Sequence, residues 1–515
     1  MEHSLSSSTV AEPRPTVEKP QSVTAQQVGR AFAEIGTREP ALLVGGDWVA
    51  PRSTVTRAST DPSTGRVWAS YAVAGAEDVD AAVVAAAEAQ RAWARTSVME
   101  RAACLDALRR LVDEHATELA IADAIDAGLP VQRMFGDVAG ATNAIRGWSG
   151  LALSLRGEVL PDDRVLHYTR TAPYGVVAKI VAYNHPLLFA VKGSLAALIA
   201  GNAVVLKPAE QTPMSAVLLG DLVRQAFPPG VFSIVTGDGA TGDALVTHPL
   251  VRRIAFTGSV ATGRLIQQRA ASNAVRSVSL ELGGKNPMIV CDDVDLDRAA
   301  QEVVKAMNLR ANQGQSCGST SRLFVHTSIH DELLERVADR FAALRLGPAY
   351  DPEVDMGPLI SAQHAQRVRG FIGDAESAGA RLVTGGLDDA RVPEDGYFVA
   401  PTLFADVAPG SPLARDEVFG PLVAAFRWEN EEALLEQVNA VDYGLTASIW
   451  TDDVNRALRL ADEVEAGYVW VNDSTTHYWG TPFGGWKDSG VGREESIDEL
   501  RSYLQTKSVH IKFRA

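Results

Sequence analysis

The sequence predicts an α/β fold with two Rossmann-like parallel-sheet domains and a small additional β element. After residue 175, short runs rich in valine, isoleucine and alanine alternate with helical segments, which is the pattern of βαβ units in a parallel sheet. The same alternation returns after about residue 287. The chain has 515 residues, of which 46% are hydrophobic and 22% charged, so it is long enough and apolar enough for two large cores.

The segment before residue 175 carries fewer strand signals. Residues 1–40 are rich in Ser, Pro, Thr, Glu and Gln, which predicts a loosely ordered extension with one short helix at residues 25–35. Residues 45–49 open the folded part. An alanine-rich helix is expected at residues 77–94, because acidic residues in its first turn suit the helix dipole. A second amphipathic helix is expected at residues 99–123.

Each α/β region has its own series of elements. In the first region we expect strands at residues 176–181, 203–206, 231–235 and 253–256, with helices at 187–200 and 213–226 and a short helix before the last strand. In the second region we expect strands at residues 288–290, 323–325 and 447–449. Alternating residues predict a protruding hairpin at 154–168, and the tail at 507–511 predicts another strand.

Composition excludes several classes of protein. The net charge is −16 with a pI of about 5.2 and no basic patch, which argues against a nucleic-acid partner. Three cysteines argue against a disulfide framework and for a reducing compartment. No apolar run of about 18 residues and no secretory signal are found, so we expect a cytoplasmic protein without a membrane span. The 10 histidines lack ligand spacing, so no metal is expected.

Cys317 and Glu281 form the most informative pair in the chain. Cys317 ends the run Asn-Gln-Gly-Gln-Ser-Cys at residues 312–317, a polar turn of small residues, whereas Cys104 and Cys291 lie in apolar patterns typical of packing. Glu281 lies 36 residues earlier, in an apolar strand that is broken by Gly283 and Gly284. A part-buried carboxylate has a raised pKa, so a thiol nucleophile and a carboxylate base are both available.

Three further patterns follow strand ends. Asn184 comes directly after a predicted strand, where a carboxamide donor can serve an oxyanion, although a turn asparagine is the simpler interpretation. Two glycine motifs, at residues 237–242 and 256–263, could each hold a phosphate at the start of a helix. The first matches the dinucleotide fingerprint better, and spacing alone does not decide between them.

These motifs, taken in order, resemble those of the aldehyde dehydrogenase superfamily, in its hydrolytic, non-acylating branch, from about residue 45 to the C-terminus. The resemblance implies NAD-dependent oxidation of an aldehyde to the carboxylic acid. Cys317 would form a thiohemiacetal and then a thioester, with Asn184 and the Cys317 amide holding the oxyanion. Glu281 would activate the water that hydrolyses the thioester, and its presence separates the chain from the branch that transfers the acyl group to coenzyme A.

The resemblance also implies a set of cofactor residues and favours the second glycine motif. A glutamate beside the ribose repels a 2′-phosphate, which favours NAD over NADP. The implied cofactor residues are Tyr183, Lys207, Glu210, Gly242, Gly258, Ser259, Gly263, Glu417 and Phe419.

The resemblance also implies which residues form the substrate tunnel. By position, the substrate tunnel would contain His185, Phe189, Lys192, Arg310, Ala311, Ser316, His477, Tyr478 and Trp479. Most members of the superfamily carry a lysine nine residues after the catalytic asparagine, but here that position is Gly193 and the lysine is one residue earlier, at Lys192. The departure leaves Glu494, a candidate for a proton path, without its expected lysine. Lys192 could instead pair with an anionic group on the substrate. Ala311 implies room, and Lys192, Arg310 and the histidines imply tolerance of polar or carboxylated groups, so we expect an aromatic or carboxylate-bearing aldehyde.

The resemblance also assigns the domains and the alternatives. It implies an NAD-binding domain at residues 41–154 and 174–283 and a catalytic domain at 284–488. It further implies an oligomerisation element at 155–173 and 498–515, which in the superfamily pairs between the subunits of a homodimer or homotetramer. A semialdehyde or betaine-type aldehyde dehydrogenase is the alternative enzyme. A catalytically silent member with a binding or structural role is the alternative of a different class.

Overall fold

A computed structural model describes residues 23–513 of the chain. Within these residues the strands are β1 (Leu42–Val44), β2 (Asp47–Val49), β3 (Thr56–Asp61), β4 (Arg66–Ala72), β5 (Val159–Leu160), β6 (Val165–Pro173), β7 (Val176–Ile180), β8 (Ala203–Lys207), β9 (Phe232–Ile234), β10 (Val251–Thr257), β11 (Ser277–Glu281), β12 (Pro287–Val290), β13 (Arg322–His326), β14 (Arg381–Thr384), β15 (Thr402–Ala405), β16 (Leu422–Trp428), β17 (Tyr443–Gly444), β18 (Thr446–Trp450), β19 (Tyr468–Val471), β20 (Trp486–Lys487), β21 (Gly490–Val491) and β22 (Leu504–Lys512).

The same region contains α-helices that lie between these strands singly or in series. They are α1 (Ala25–Gly36), α2 (Ala76–Trp93), α3 (Val98–Glu114), α4 (Ala116–Ala127), α5 (Val131–Leu151), α6 (Pro186–Ile199), α7 (Met214–Ala226), α8 (Gly239–Thr247), α9 (Val260–Ala270), α10 (Leu296–Ala306), α11 (Leu309–Asn312), α12 (His330–Ala342), α13 (Ala362–Ser377), α14 (Pro412–Arg415), α15 (Glu431–Asn439), α16 (Val454–Glu463) and α17 (Ile497–Ser502).

Two large sheets dominate the fold and confirm the predicted α/β class. The first has the order β2-β1-β9-β8-β7-β10-β11-β21, and β9 to β11 are parallel within it. The second has the order β14-β15-β16-β13-β12-β18-β19, parallel except for β14. Helices cover both faces of each sheet, since successive residues of a strand contribute to different cores. Val204 packs with α3 to α7, for example, whereas Val205 packs with α2, α8 and α9.

The first 40 residues and the second amphipathic helix differ in part from the sequence-based expectation. Helix α1 confirms the short helix expected at residues 25–35, but it buries Val28, Ala31 and Ile35, so this part of the expected loose extension is a packed element; residues 1–22 lie outside the described region. The helix expected at residues 99–123 is wrong as a single element. It is divided at His115, whose φ of −101° and ψ of 17° end α3 and start α4.

A three-stranded sheet forms the small β element. Strand β22 pairs antiparallel with β6 over its full length, and β5 pairs with the other edge of β6. The hairpin and the tail therefore pair within one chain, and pairing between subunits stays a prediction.

Candidate active site

A cleft of about 710 Å³ opens at the carboxyl ends of the parallel strands of the first sheet. Ligands of open α/β sheets bind at this edge, because the strand-to-helix turns there present backbone N–H groups and polar side chains. The cleft is lined by all three expected catalytic residues and by most of the expected cofactor residues: Tyr183, Asn184, Lys207, Glu210, Gly242, Gly258, Ser259, Glu281, Cys317, Glu417 and Phe419.

The backbone around Cys317 is fixed by a buried asparagine. The side-chain amide of Asn286 donates to the carbonyl oxygen of Cys317 at 2.6 Å and to that of Ser319 at 3.0 Å, while its oxygen accepts from the N–H of Thr446 at 3.1 Å. The turn before the cysteine uses left-handed conformations at Gln313 and Gly314. A side chain at Gly314 would overlap the carbonyl of Gly420, so only glycine fits there.

Burial is the largest influence on the pKa of both reactive side chains, Cys317 and Glu281. It raises the pKa of the Cys317 thiol to about 12, with the charges of Glu417 and Glu281 adding to the effect and the N–H groups of Cys317 and Gly318 opposing it. Burial also raises the pKa of Glu281 well above its usual value, and the neighbouring Glu494 adds to this, whereas Lys179 and Arg493 oppose it. Neither carboxyl oxygen of Glu281 has a hydrogen-bond partner among the described residues. Such a carboxyl group is suited to exchange a proton with a water molecule.

Glu417 anchors a turn in the lining of the cleft. Its Oε1 accepts from the N–H of Gly284 at 2.9 Å, and a Cβ on Gly283 would lie 2.7 Å from the same oxygen. Burial raises the pKa of Glu417 to about 7. Nearby, Phe419 has a left-handed φ of 56°, held by His364, whose Nε2 lies 2.7 Å from the Phe419 carbonyl oxygen. A non-glycine residue in this conformation stores strain, which is common at binding sites.

The loop between β10 and α9 supplies the glycine turn. The N–H of Gly258 donates to the Glu281 carbonyl at 3.0 Å, and Ser259 caps α9 by accepting from the N–H of Thr262 at 3.3 Å. Gly263 does not line the cleft. A Cβ there would lie 2.7 Å from Cδ2 of Leu282, so this glycine allows α9 to pack on the segment that follows Glu281.

The cleft also carries a cluster of charges. Lys207 is buried, which lowers its pKa to about 8, and its Nζ donates to the Pro208 carbonyl at 3.1 Å. Glu210 pairs with Arg57 at 3.1 Å, and Arg57 reaches Asp238 at 2.8 Å. Sequence reasoning missed Arg57, because it comes from β3, 153 residues before Glu210.

These features fit a dinucleotide. A carboxylate can hold a ribose, and both Glu210 and Glu417 line the cleft together with Ser259, which caps the N-terminus of α9. Side chains at Gly258 or Gly283 would fill the cradle, since a Cβ would contact the ring of Phe256 or the carboxyl of Glu417.

Comparisons with known proteins agree with this architecture. The model of the aldehyde dehydrogenase family matches residues 48–509. Aldehyde dehydrogenase tropH from Talaromyces stipitatus is 46% identical over 479 residues, which cover 91% of this chain and 93% of that protein. The chain belongs to the aldehyde dehydrogenase family.

Two solved structures extend the likeness. The NAD⁺ complex of an aldehyde dehydrogenase from Bacillus cereus has a TM-score of 0.91 and 35% identity, and the match covers 96% of this chain and 99% of that one. Betaine aldehyde dehydrogenase from Staphylococcus aureus, also solved with NAD⁺, has a TM-score of 0.90 and 30% identity, with 94% and 97% covered.

The expected substrate residues of this aldehyde dehydrogenase form two polar groups. His185 lies between Asp137 and Asn312, with Nδ1 2.8 Å from Asp137 and Nε2 3.0 Å from the Asn312 amide. Lys192 pairs with the buried carboxylate of Glu495, which also contacts Nδ1 of His477 at 2.8 Å. Lys192, offered as a partner for an anionic substrate, therefore already has a carboxylate partner.

The remaining expected substrate residues lie nearby or face other partners. Arg310 pairs with Asp355 at 2.5 Å, and the Tyr478 hydroxyl donates to Asp473 at 2.8 Å. Trp479 packs edge-on against Trp148 with ring centroids 5.1 Å apart, and the ring of Phe189 lies 5.4 Å from that of His185. Ala311 is half-buried, and Ser316 accepts from the N–H of Gly318 at 3.2 Å.

Sequence reasoning also missed Lys179. Its Nζ lies 3.3 Å from Oε1 of Glu494. Glu494, which had no lysine partner in the sequence-based prediction, therefore pairs with a lysine from strand β7. A lysine inside the otherwise apolar run of residues 176–180 is the signal that could have revealed it, because a buried lysine needs a partner.

The described region offers neither a metal site nor a membrane helix. Within residues 23–513, no group of three His, Cys, Asp or Glu side chains is arranged to hold a metal ion. In the same residues no helix combines the length and the apolar character needed to cross a membrane.

Proposed function

We propose that this aldehyde dehydrogenase oxidises an aldehyde to the carboxylic acid with NAD, through a thioester on Cys317 that Glu281 helps to hydrolyse. The observation that carries the proposal is the meeting of Cys317, Glu281 and Asn184 in one cleft that most of the expected cofactor residues also line. The three residues come from different elements, since Asn184 follows β7, Glu281 ends β11 and Cys317 lies between α11 and β13. The likeness to two enzymes solved with NAD⁺ supports the cofactor assignment.

Several residues would hold the dinucleotide. Lys207 and Glu210 suit the hydroxyls of one ribose and Glu417 those of the other, while Ser259 and the N–H groups of the first turn of α9 suit the pyrophosphate. The negative charge of Glu210 favours a 2′-hydroxyl over a 2′-phosphate. When bound, NAD supplies the hydride acceptor for the oxidation.

Cys317 and Asn184 act on the carbonyl group. The Sγ atom attacks as the thiolate, which the N–H groups of Cys317 and Gly318 favour, and a C–S bond forms while the carbonyl oxygen gains negative charge. The Asn184 amide and the Cys317 N–H donate to that oxyanion. Asn286 supports this arrangement, because it fixes the carbonyl of Cys317 and thereby the orientation of the adjacent peptide.

Glu281 acts in the second half of the reaction. Its ionised carboxylate takes a proton from a water molecule as the water oxygen attacks the thioester carbonyl, and the C–S bond then breaks to release the acid and the Cys317 thiolate. The raised pKa makes Glu281 a stronger base than an exposed glutamate once it is ionised.

We propose an aromatic aldehyde as the substrate class. Cys317 packs against an apolar cluster that includes Tyr468, Trp470 and Phe483, and the His477 ring lies 4.7 Å from that of Phe483. Aromatic walls favour a flat apolar ligand. The nearby Lys192 ammonium group is already paired with Glu495, so it is less available to bind a carboxylate-bearing aldehyde.

A betaine-type substrate is the alternative, and the likeness to the Staphylococcus aureus enzyme favours it. Aromatic faces next to a buried carboxylate such as Glu495 can bind a quaternary ammonium group. A semialdehyde carries a carboxylate of its own, so its site would need a cationic side chain that is not already paired with a carboxylate. A catalytically silent member would bind NAD and turn over none of these compounds.

The test is NADH formation with a matched panel of benzaldehyde, betaine aldehyde, succinic semialdehyde and an aliphatic aldehyde. The enzyme is compared with Cys317→Ser and with Cys104→Ser as the control cysteine. The proposal expects the highest kcat/KM for benzaldehyde, and activity that is lost only in Cys317→Ser. Equal activity in Cys317→Ser, or NAD binding without turnover of any aldehyde, would refute the proposed chemistry; a preference for betaine aldehyde would refute only the substrate class.

The β5-β6-β22 sheet supports a homodimer or homotetramer. It exposes Val159, Leu160 and Ile511, and Phe513 directly after β22 is also exposed; a subunit contact would cover these side chains. Light scattering on the purified chain would measure the mass directly, and a monomeric mass at micromolar concentration would contradict this assignment.

A further inference from the structure

Lys179 occupies an unusual position for a lysine. It lies in β7, between β8 and β10 at the centre of the parallel sheet, and only 2% of its surface is exposed. Its Nζ contacts Oε1 of Glu494 at 3.3 Å, and the side chains of Glu499 and Tyr503 are also close to it. Burying an ammonium group without a charged partner is costly in free energy, so the pairing with Glu494 allows a charged lysine at this position.

Gly193 in α6 makes room for this lysine. A Cβ at residue 193 would overlap Cε of Lys179 and lie 2.8 Å from Nζ. The glycine is buried in the middle of the helix, where its backbone freedom is a cost that the helix does not require. Lys179 and Gly193 therefore form one unit, in which the side chain from the strand fills the space that the helix leaves empty.

The ion pair lies beside Glu281. Glu494 pairs through its backbone with Phe483. The residue after Phe483 is Gly484, and a Cβ built on Gly484 would lie 3.1 Å from Oε1 of Glu281. Glu281 itself pairs with Gly490 of β21, in the same C-terminal segment as Glu494. The titratable groups that face Glu281 are Lys179 from β7, Arg493 and Glu494 from this segment, and Glu499 from α17, whose pKa burial raises to about 8; Cys317 lies on the cleft side.

We propose that Lys179, seated over Gly193, is a positioning residue that holds the Glu494 carboxyl beside Glu281, so that the Lys179–Glu494 ion pair sets the pH range in which Glu281 can act as a base. The inference rests on the proposed role of Glu281 in thioester hydrolysis. It makes the lysine of the strand the functional partner of Glu494, in place of any lysine on α6.

The inference predicts opposite effects of two variants. Lys179→Met removes the positive neighbour and leaves Glu494, so Glu281 holds its proton more tightly. Glu494→Gln removes the negative neighbour and leaves Lys179, so Glu281 releases its proton more easily. A nearby charge shifts a carboxyl pKa by about one unit or more, which moves the acidic limb of the rate profile by the same amount.

The experiment uses p-nitrophenyl acetate without NAD. The burst of nitrophenol reports acylation of Cys317, and the later steady rate reports hydrolysis by Glu281, so each variant carries its own measure of an intact site. We expect the acidic limb of the steady rate to move to higher pH by about one unit in Lys179→Met and to lower pH in Glu494→Gln, with the burst retained. Shifts of the same sign, or an unmoved limb in either variant with an intact burst, would overturn the inference. If wild-type enzyme and Glu281→Gln had equal steady rates, the proposed function would fail instead.

Two further variants test the unit formed with Gly193. Gly193→Ala should move the limb in the same direction as Lys179→Met, whereas Gly136→Ala, a helical glycine with open space around it, should leave it unchanged. The double variant Lys179→Ala/Gly193→Lys returns an ammonium group to the same space from the helix side, and its limb should move back towards that of the wild type. A burst-competent double variant with the profile of Lys179→Ala alone would overturn the inference.

Discussion

Glu417 accepts a hydrogen bond at 2.9 Å from the backbone N–H of Gly284, 133 residues earlier in the sequence. The contact joins the segment that follows Glu281 to the loop before β16. One turn therefore holds both Glu417, the expected cofactor carboxylate, and Glu281, the expected base. The glycine pair after Glu281 is needed because a side chain at Gly283 would occupy the place of the Glu417 carboxyl.

Gly283→Ala is therefore expected to weaken NAD use. The added Cβ displaces the Glu417 carboxyl, so the KM for NAD should rise about tenfold or more, which corresponds to about 1.4 kcal/mol of lost binding. Steady-state kinetics at saturating aldehyde measure this. Gly373→Ala in α13, which has open space around it, is the control and should leave the KM unchanged.

Asn184→Ala should lower kcat while the KM for the aldehyde changes little. Removal of an oxyanion donor costs about a hundredfold to a thousandfold in rate, because the bond is strongest in the transition state. Rates under saturating NAD test this, with thermal unfolding as the control for folding. A kcat within about threefold of the wild type would exclude Asn184 from the oxyanion site.

Arg57 and Glu210 should control the choice between NAD and NADP. Glu210→Gln removes the charge that repels a 2′-phosphate and leaves Arg57, so the ratio of kcat/KM for NADP to that for NAD should rise about tenfold or more. Arg57→Ala should lower the same ratio. The Arg57–Glu210 pair is exposed and contributes little to stability, so the melting temperature should stay the same in both variants. An unchanged ratio in both would place the nucleotide elsewhere in the cleft.

Glu495→Gln should destabilise the enzyme in a pH-dependent way. Burial opposes ionisation of Glu495, but Lys192 and His477 outweigh it and lower its pKa from 4.5 to about 2. A carboxyl with a depressed folded-state pKa stabilises the fold above its unfolded pKa, and this contribution is lost as the pH falls towards the folded value. The variant should be less stable by about 2 to 3 kcal/mol at pH 7, with the difference narrowing below about pH 4.5. Urea unfolding at several pH values measures this, and a pH-independent difference would contradict the assigned ion pair.

Much of the fold follows from the sequence because the strands are buried. Runs such as residues 176–180 and 203–207 are covered on both faces, so their apolar character marks them within one or two residues. The division of the helix at His115 was not predictable in the same way, since neither glycine nor proline marks it and the turn depends on how α3 and α4 pack.

The candidate site shows the same contrast. Cys317, Glu281 and Asn184 could be found because each follows a recognisable local motif. Lys179 could not be placed by motif, since its partner Glu494 is 315 residues away and its position depends on the space above Gly193. Arg57 and the carboxylate partners of Lys192 and Arg310 were missed for the same reason, because long-range charge pairs leave no periodic trace in a sequence.

The most direct test of the central claim is rapid-mixing kinetics of Glu281→Gln with NAD and benzaldehyde. If Cys317 forms a thioester that Glu281 helps to hydrolyse, the variant should produce a burst of NADH close to one per active site. The steady rate after the burst should be lower than that of the wild type by about a hundredfold or more. A variant with no burst and an unchanged steady rate would contradict the account, because Glu281 would then have no part in releasing the acid.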